Sequence, residues 1–437
     1  MNGMHERKTA FSIIILILLL GITPTSILKP VEAQVQYKWI TLPSMPTSRT
    51  EVTSAVIGSD VYVIGGFVLP GITSDKVEIF NVVNSSWRSG PPLPAPLHHT
   101  VAVGLNGKIY VLGGYIAGWI TVDTVYIYDP EEGEWSEGPR MPRAKGAFTA
   151  QVLNGKIYTV GGATTGIGGG FFNQEVLSIN EYLDPETGNW HIASPMPTPR
   201  EHLASAQVGG KMYVVGGRSI TLTTNTNINE EYDPQTDTWI RKAPMPTKRG
   251  GITGASQLGK VFIFGGESNA GTFDEAEEYN PKTDEWRQIE PMPTSRHGLT
   301  AASILGQILV IGGGPQPGGS YSDANEALDP TTITTTIQIV SNVTTTKTMS
   351  SNKTITETTT LPARTMTSTT TALTTTTATS SITSTVVSTA PAVTSTIMTR
   401  VTETESVGFP AEVTYATAVI AIIAITAAAV LTTKTKR

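Results

Sequence analysis

The chain has 437 residues, no cysteine, 15% charged residues and a formal net charge of −6. Without cysteine the folded part has no disulfides, so its stability must come from burial. The acidic balance lacks the basic footprint of nucleic-acid binding, and we expect no nucleic-acid partner. The length allows two or three domains, but the composition is very uneven at the two ends.

Residues 1–33 have the layout of a secretory signal peptide. Arg7 and Lys8 precede the 13-residue run AFSIIILILLLGI, and a small-residue cleavage pattern ends at Ala33. The run is shorter than the roughly 20 residues that a membrane-spanning helix needs. We therefore expect cleavage before Gln34, and the alternative is an uncleaved N-terminal anchor.

A repeat marked by tryptophans and glycine pairs occupies the middle of the chain. The tryptophans are Trp39, Trp87, Trp135, Trp190, Trp239 and Trp286. The pairs are Gly65 with Gly66, Gly113 with Gly114, Gly161 with Gly162, Gly216 with Gly217, Gly265 with Gly266, and Gly312 with Gly313. Each tryptophan precedes the next pair by 26 residues, whereas the distance from a pair to the next tryptophan varies from 21 to 29. Length variation is thus confined to one connection of each unit.

Each unit is predicted to contain four strands. A strand of small residues, such as LTAASIL, leads through a tight turn into an apolar strand that ends at the glycine pair. A variable loop leads to a third strand, and a short turn leads to the tryptophan strand. Four short strands with a period near 48 residues are typical of a propeller blade, so we predict an all-β fold.

The order Gly-Gly, EEYDPQTDTW, MPTKR resembles the kelch repeat, and six copies over residues 34–330 resemble a six-bladed kelch β-propeller. The resemblance implies that the small-residue strand lines a central channel and that the tryptophan strand is outermost. The glycine pairs are expected to have positive φ, because a Cβ would clash there. Unit six ends at Asp329 and Pro330 without a tryptophan strand, while the first tryptophan strand has no preceding three. Trp39 is therefore predicted to complete blade six and close the ring.

Basic residues recur ten positions after five of the six tryptophans. They are Arg49, Lys145, Arg200, Arg249 and Arg296, and Leu97 takes this position in unit two. An antiparallel meander places them on the rim that carries the glycine pairs and the variable loops. We predict a positive channel mouth that binds the carboxylates of an acidic ligand. The alternative is a scaffold role, in which these side chains bond backbone carbonyls between blades.

Further candidate ligand-binding residues on this rim are His98, His202, His297 and Trp119. Together with Glu201, these histidines could bind a metal or exchange protons. They come from different blades without the spacing of a metal motif, so we expect no metal and no cofactor. Trp119 is predicted to offer a stacking surface, or else to pack against its own loop. The glycine-rich loop 163–175 is predicted to be a mobile flap carrying Phe171 and Phe172, because it lacks the lysine of a phosphate-binding loop.

Beyond the repeat the chain is predicted to form a stalk. Between residues 331 and 405, 41 of 75 residues are Thr or Ser. Such a segment cannot bury enough apolar surface to order itself, so we expect 331–408 to be disordered and O-glycosylated. Asn84, Asn342 and Asn352 stand in N-glycosylation sequons and are expected at the surface.

A membrane anchor is predicted after the stalk. Residues 413–433 are uncharged over 21 positions, which is long enough to span a bilayer, and the basic tail 434–437 is expected in the cytoplasm. A cleaved lipid-anchor signal is the alternative. The propeller is then extracellular on a single-pass membrane protein, and its ring closure predicts that the stalk leaves from the face opposite the basic mouth. This architecture resembles archaeal cell-surface proteins.

These features favour a cell-surface binding or adhesion module with an extracellular protein or acidic glycan as partner. The sequence has no hydrolase, metalloprotease or paired-carboxylate motif, so an enzyme is the less favoured reading. One alternative, implied by resemblance to a six-bladed kelch enzyme, is a sialate mutarotase-like activity that uses Arg200 and Glu201. Another is a structural envelope component that self-associates.

Overall fold

The computed structural model describes residues 34–165, 170, 174–219, 224–339, 342–349, 353–360 and 364–370. These residues contain strands, bridges and turns and no α-helix. Backbone contacts divide the chain into a compact unit of residues 37–329 and a second unit made of residues 1–36 and 330–437.

Several predicted segments lie outside the described residues. They are the signal peptide 1–33, the membrane helix 413–433, the tail 434–437, Asn352, and Phe171 and Phe172 of the glycine-rich loop. Within the described part, no helix has the length and hydropathy needed to cross a bilayer.

The unit of residues 37–329 consists of six four-stranded antiparallel sheets, as the repeat predicts. The innermost strands are Thr53–Ile57, Val101–Leu105, Thr149–Leu153, Ala204–Val208, Thr253–Gln257 and Thr300–Ile304. The second strands are Asp60–Ile64, Lys108–Leu112, Lys156–Val160, Lys211–Val215, Lys260–Phe264 and Gln307–Ile311.

The two outer strands of each sheet follow the same order. The third strands are Val77–Asn81, Val125–Asp129, Asn180–Asp184, Asn229–Asp233, Ala276–Asn280 and Asn325–Ile339. The outermost strands are Ser86–Ser89, Glu134–Glu137, Asn189–Ala193, Thr238–Lys242, Glu285–Gln288 and, for blade six, Gln34–Thr41. The prediction that the first tryptophan strand completes the last blade is confirmed.

The tryptophans join each blade to the one before it. Each indole Nε1 donates to a backbone carbonyl in the segment that follows the preceding blade's outer strand. The acceptors are Pro43 for Trp87, Pro91 for Trp135, Pro139 for Trp190, Ser194 for Trp239, Ala243 for Trp286 and Glu290 for Trp39, at 2.8–3.1 Å. The bond from Trp39 to Glu290 joins blade six to blade five through the start of the chain.

The hydrophobic core lies between the blades. Between blades six and one, Val63 and Phe80 pack with Leu309 and Ile311, and all four side chains are fully buried. Burying one such side chain contributes about 1.5–3 kcal/mol. Alternation along each strand sends one set of side chains to each neighbouring blade.

A central channel of about 440 Å³ runs between the six innermost strands. Small residues such as Ser54, Ala102 and Gly254 line it. A Cβ on Gly254 would lie 2.8 Å from the carbonyl oxygen of Ser205, so the close packing of neighbouring inner strands requires glycine there.

The two ends of the channel differ. One end, the loop face, carries the glycine pairs and four short hairpins. These hairpins pair Phe67–Val68 with Ile72–Thr73, Tyr115–Ile116 with Ile120–Thr121, Ala163–Thr165 with Gln174–Val176, and Glu267–Ser268 with Gly271–Thr272. At the other end, the turn face, the described connections between the strands of a blade are tight turns such as those at Gly58, Gly107 and Gly259, each with positive φ.

Part of the predicted stalk is paired in the structure. Residues 333–339 pair with Arg364–Thr370, and Asn342–Met349 pairs with Lys353–Thr360. The sequence instead predicts an unpaired segment on grounds of low apolar content. Threonine is β-branched and favours extended backbone, which accounts for strands in a segment that has little to bury.

Candidate functional site

The five basic residues of the predicted mouth are fully buried inside the blades. In blade one, Arg49 donates to the carbonyls of Gly65 and Lys76 at 2.9 and 3.1 Å and to Glu78 Oε2 at 2.8 Å. The matching ion pairs are Arg200 with Glu230, Arg249 with Glu277, Arg296 with Glu326, and Lys145 with Glu181, at 2.5–3.2 Å. Each cation thus ties the start of an inner strand to the third strand of the same blade.

This burial corrects the prediction of a positive mouth. Burial lowers the pKa of Arg49, Arg249 and Arg296 and lowers that of Arg200 to about 10, and the paired glutamate opposes the effect. A guanidinium that is enclosed and bonded to a carboxylate and two backbone carbonyls presents no charge to a ligand. These side chains have the scaffold role that the sequence offers as the alternative. Their hydrogen bonds join parts of one blade, however, and not neighbouring blades. Arg200 is the residue that the mutarotase-like alternative assigns to a sugar carboxylate. Its side chain is buried and paired with Glu230, so it does not face a ligand at the mouth.

Blade two shows that the pair is replaced as a unit. Leu97 takes the basic position, and Tyr126 stands where the other blades have glutamate. Both side chains are buried in one apolar cluster. A buried ion pair and a well-packed apolar pair of similar volume can therefore serve the same place in the fold.

The residues that do meet at the loop face lie one and two positions further along the chain. Twelve residues after the six tryptophans stand Glu51, His99, Ala147, His202, Gly251 and Gly298, which we call the mouth ring. All six have positive φ, between 49° and 68°. Backbone N–H groups donate from blade to blade around this ring, for example from His99 to the Glu51 carbonyl at 3.2 Å and from His202 to the Ala147 carbonyl at 2.8 Å.

The residues just before the mouth ring form its outer wall. Each makes an isolated bridge to the residue that follows the glycine pair, and these bridges include His98 with Tyr115, Thr50 with Phe67, Glu201 with Arg218, Gly250 with Glu267, and His297 with Gly314. This register explains why polar side chains from separate blades come together at one channel mouth.

A chain of polar contacts crosses the mouth. Glu201 Oε1 accepts from Arg218 Nε at 2.6 Å, and Arg218 also pairs with Glu267 at 3.4 Å. His297 Nε2 lies 3.6 Å from both Glu267 Oε2 and Glu51 Oε1. Glu51 Oε2 in turn lies 3.2 Å from His99 Nε2. With three carboxylates to one guanidinium in this contact chain, the mouth is not a basic surface.

An aromatic cluster flanks the polar contacts on the side of blades one and two. The rings of Phe67 and His98 stack at 4.0 Å, His98 stacks on Tyr115 at 5.3 Å, and Trp119 packs against all three at 4.9–6.0 Å. Trp119 has a φ of 58° and is half-buried. It therefore packs against its own hairpin and the neighbouring one, while part of its ring faces solvent.

Burial sets the protonation of these groups. It lowers the pKa of His98 to about 3 and holds the pKa of His99 and His202 well below the ordinary histidine value. It also raises the pKa of Glu51 to about 7, an effect that His297 partly opposes. The three imidazoles are thus neutral near pH 7. Within the part of the chain that the structure describes, Glu51, His99 and His202 form a group that could hold a metal ion.

The signal that the sequence analysis missed is the difference between neighbouring positions of the repeat. Ten residues after the tryptophan, five of six units carry a basic side chain, which is typical of a scaffold position. Twelve residues after it, the units carry Glu, His, Ala, His, Gly and Gly. At this position every unit has the same left-handed backbone conformation, but the side chain differs between units. Such a position can hold a functional side chain without a change in the fold.

The sequon residue Asn84 is exposed in a turn of blade one, as expected of a surface position. Asn342 begins the strand Asn342–Met349, which lies in the predicted stalk.

A closed ring of six four-stranded blades, each with a glycine pair and an outer tryptophan, defines a six-bladed β-propeller. Residues 147–351 match the family model described as the KLHDC2/KLHL20/DRC7 Kelch-repeats domain, and residues 48–94 and 96–142 match the Kelch motif. The chain belongs to the kelch-repeat family.

Two individual likenesses are more limited. A stretch of 49 residues is 43% identical to the influenza virus NS1A-binding protein homolog of Mus musculus, and it spans 11% of this chain and 8% of that protein. The solved structure of YjhT is similar with a TM-score of 0.56 and 17% identity, and the match covers 72% of this chain and 99% of that chain. At that identity the likeness shows the fold alone.

Proposed function

We propose that the chain is a binding module that engages a polypeptide partner on its loop face. Kelch domains commonly mediate protein–protein interactions. The supporting observation is the asymmetry of the propeller. Variable hairpins, the aromatic cluster and the polar contacts all lie on the loop face, whereas the described strand connections on the turn face are tight turns.

Exposed apolar side chains on the rim hairpins support the choice of partner. Leu69 is 74% exposed and Ile72 59% exposed on the blade-one hairpin, and Ile120 is 44% exposed on the blade-two hairpin. The two hairpins touch through Phe67 and Trp119, whose ring centroids are 6.0 Å apart. Aromatic and aliphatic anchors beside polar groups are the composition of protein-binding surfaces.

The ligand chemistry proposed here differs from the sequence expectation. From the sequence, the five basic residues favour an acidic glycan or peptide, but their burial removes that support. The groups at the mouth are aromatic rings, neutral imidazoles and carboxylates around Arg218. A mixed apolar and polar segment of polypeptide fits these groups better than a polyanion does.

The experiment compares the two faces of the full-length chain in detergent micelles. Peptides selected from a random display library on the wild-type chain serve as probes. We expect the combined Ile72→Asp and Ile120→Asp variant to weaken their binding by about tenfold or more, which corresponds to about 1.4 kcal/mol. Leu258→Asp is the matched control, since Leu258 is 56% exposed on the turn face. Equal loss in both variants, or loss only in the control, would contradict the proposal.

We further propose that the module stands outside the cell on a single-pass anchor. The apolar run 413–433 with its basic tail and the N-terminal run ending at Ala33 support this orientation. In intact cells, an added protease should release the propeller and leave a tag on the C-terminus protected. Protection of the propeller, or digestion of the C-terminal tag, would contradict it.

A further inference from the structure

The mouth ring brings together three side chains of types that can ligate a metal. Glu51, His99 and His202 each offer one ligand atom, and these atoms lie within 4.8 Å of one another. The imidazole rings of His99 and His202 are 4.8 Å apart between centroids. We propose that these three residues bind one divalent transition-metal ion, such as Zn²⁺, at the channel mouth.

The choice of residue types at these positions favours a ligand role. The ring requires only a left-handed backbone, which glycine adopts without strain, and blades five and six use Gly251 and Gly298 there. Glutamate and histidine are strained in this conformation by about 1–3 kcal/mol each. Three polar side chains are therefore held in a backbone conformation that disfavours them, at a ring where their ligand atoms come within 4.8 Å of one another.

The three small members of the ring provide the space. A Cβ on Gly298 would lie 2.5 Å from Glu51 Oε1, and a Cβ on Gly251 would lie 3.4 Å from His297. Larger residues at these positions would displace Glu51 or close the mouth. With Ala147 and the two glycines, the ring leaves a chamber of about 80 Å³. This volume accommodates an ion together with a water molecule or a group of a partner.

Both histidines are oriented from behind through Nδ1. His202 Nδ1 is hydrogen-bonded to Glu201, whose other oxygen is held by Arg218 at 2.6 Å. His99 Nδ1 contacts His98 Nδ1 at 2.7 Å, and its Nε2 faces Glu51. A carboxylate behind a histidine fixes the tautomer that leaves Nε2 available to a metal, as in many zinc sites.

The chemistry of the donor set suits Zn²⁺. Two imidazoles and one carboxylate form the three-ligand set that keeps a fourth position open. A further imidazole beside this set is that of His297, whose Nε2 lies 3.6 Å from Glu51 Oε1.

The test is calorimetric titration of ZnCl₂ into the full-length chain after chelator treatment. We expect one ion per wild-type chain. The combined His99→Gly and His202→Gly variant removes two ligands yet keeps the backbone that Gly251 and Gly298 already adopt in the ring. Since loss of a supporting residue alone weakens metal binding by about 10–100-fold, this variant should bind at least about 100-fold more weakly.

Two controls make the result specific. His191→Gln changes a histidine on the outer strand of blade three, where it stacks on Tyr182, and should bind Zn²⁺ like the wild type. X-ray absorption of the zinc-loaded wild-type chain should show two imidazole ligands. Failure of the wild type to bind, undiminished binding by the folded double-glycine variant, or a spectrum without imidazole ligands would each overturn the proposal.

Discussion

A buried cation pairs with a glutamate of the third strand in five of the six blades, and this cation is an arginine in four of them and Lys145 in blade three. Arg200 and Glu230, 2.7 Å apart, represent the arginine arrangement, in which the guanidinium also donates to the backbone carbonyls of Gly216 and Val214. Replacement of one partner leaves an uncompensated buried charge. Blade two avoids this by changing both partners, to Leu97 and Tyr126.

The ion pair leads to a prediction that uses blade two as its template. Arg200→Leu alone should lower the free energy of unfolding by about 3–5 kcal/mol, because Glu230 stays buried without its partner. Adding Glu230→Tyr should recover most of the loss. Chemical denaturation of the single and double variants measures both values. No recovery in the double variant would show that the blade requires the pair itself.

The glycine pair gives a second prediction at the residue scale. A Cβ on Gly65 would lie 2.5 Å from the Leu97 carbonyl oxygen, whereas a Cβ on Gly58 would meet nothing within 4 Å. The two glycines have nearly equal φ, 64° and 59°. Gly58→Ala should therefore reveal only the strain of the left-handed backbone, about 1–2 kcal/mol, and Gly65→Ala that strain plus the clash. Similar melting temperatures for the two variants would refute this separation.

At the scale of the element, the strand Gln34–Thr41 differs from the other outer strands because it does not follow the third strand of its own blade in the chain. It precedes blade one in the sequence, whereas the other three strands of blade six follow blade five. Trp39 packs edge-on against Phe264 at 5.8 Å and donates to the Glu290 carbonyl at 2.8 Å. These contacts join blade six to blade five. The pairing of Gln34–Thr41 with Asn325–Ile339 closes the sheet edge that blade six would otherwise expose.

Loss of the Trp39 indole should open the ring closure to proteolysis, an effect that the same change in another blade does not have. Trp39→Ala and Trp239→Ala remove equivalent indoles, each with one hydrogen bond to a neighbouring backbone, and each should destabilise by about 3–5 kcal/mol. Only Trp39→Ala also loosens the ring closure. Limited proteolysis should then cut Trp39→Ala first near residue 330. Equal protection of the two variants would mean that closure does not depend on this strand.

The strands could be predicted from the sequence because each repeat has the same order of strands, marked by a tryptophan and a glycine pair. Alternation, the tight turns and the 26-residue spacing are local signals, and the closure of blade six follows from matching an incomplete unit to an orphan strand. The site could not be predicted in the same way. Whether Arg49 faces the channel or Glu78 depends on a side-chain direction that neither spacing nor charge specifies.

The histidine pair shows a further limit. His99 and His202 are 103 positions apart in the chain. They meet because each occupies the equivalent position of its blade, twelve residues after the tryptophan, and these positions form one ring at the channel mouth. Comparison of the repeats with one another does reveal the variable position, but only the three-dimensional register shows that Glu51, His99 and His202 share one level.

At the scale of the whole molecule, the propeller separates its two faces by construction. The third strand of each blade runs from the loop face to the turn face, so in blade six Asn325 pairs with Ile311 beside the glycine pair and Leu328 pairs with Ile308 further down. The propeller unit thus ends at Asp329 near the turn face. A partner bound on the loop face meets the hairpins and the mouth ring at the other end of the blades.

The most direct test of the proposed binding face is hydrogen–deuterium exchange on the full-length chain with and without a saturating selected peptide. We predict slower exchange in the hairpins over 67–73 and 115–121 and around the mouth ring, and unchanged exchange in the turns at Gly58, Gly107 and Gly259. Protection confined to those turns or to the outer strands would contradict the assignment of the loop face as the binding site.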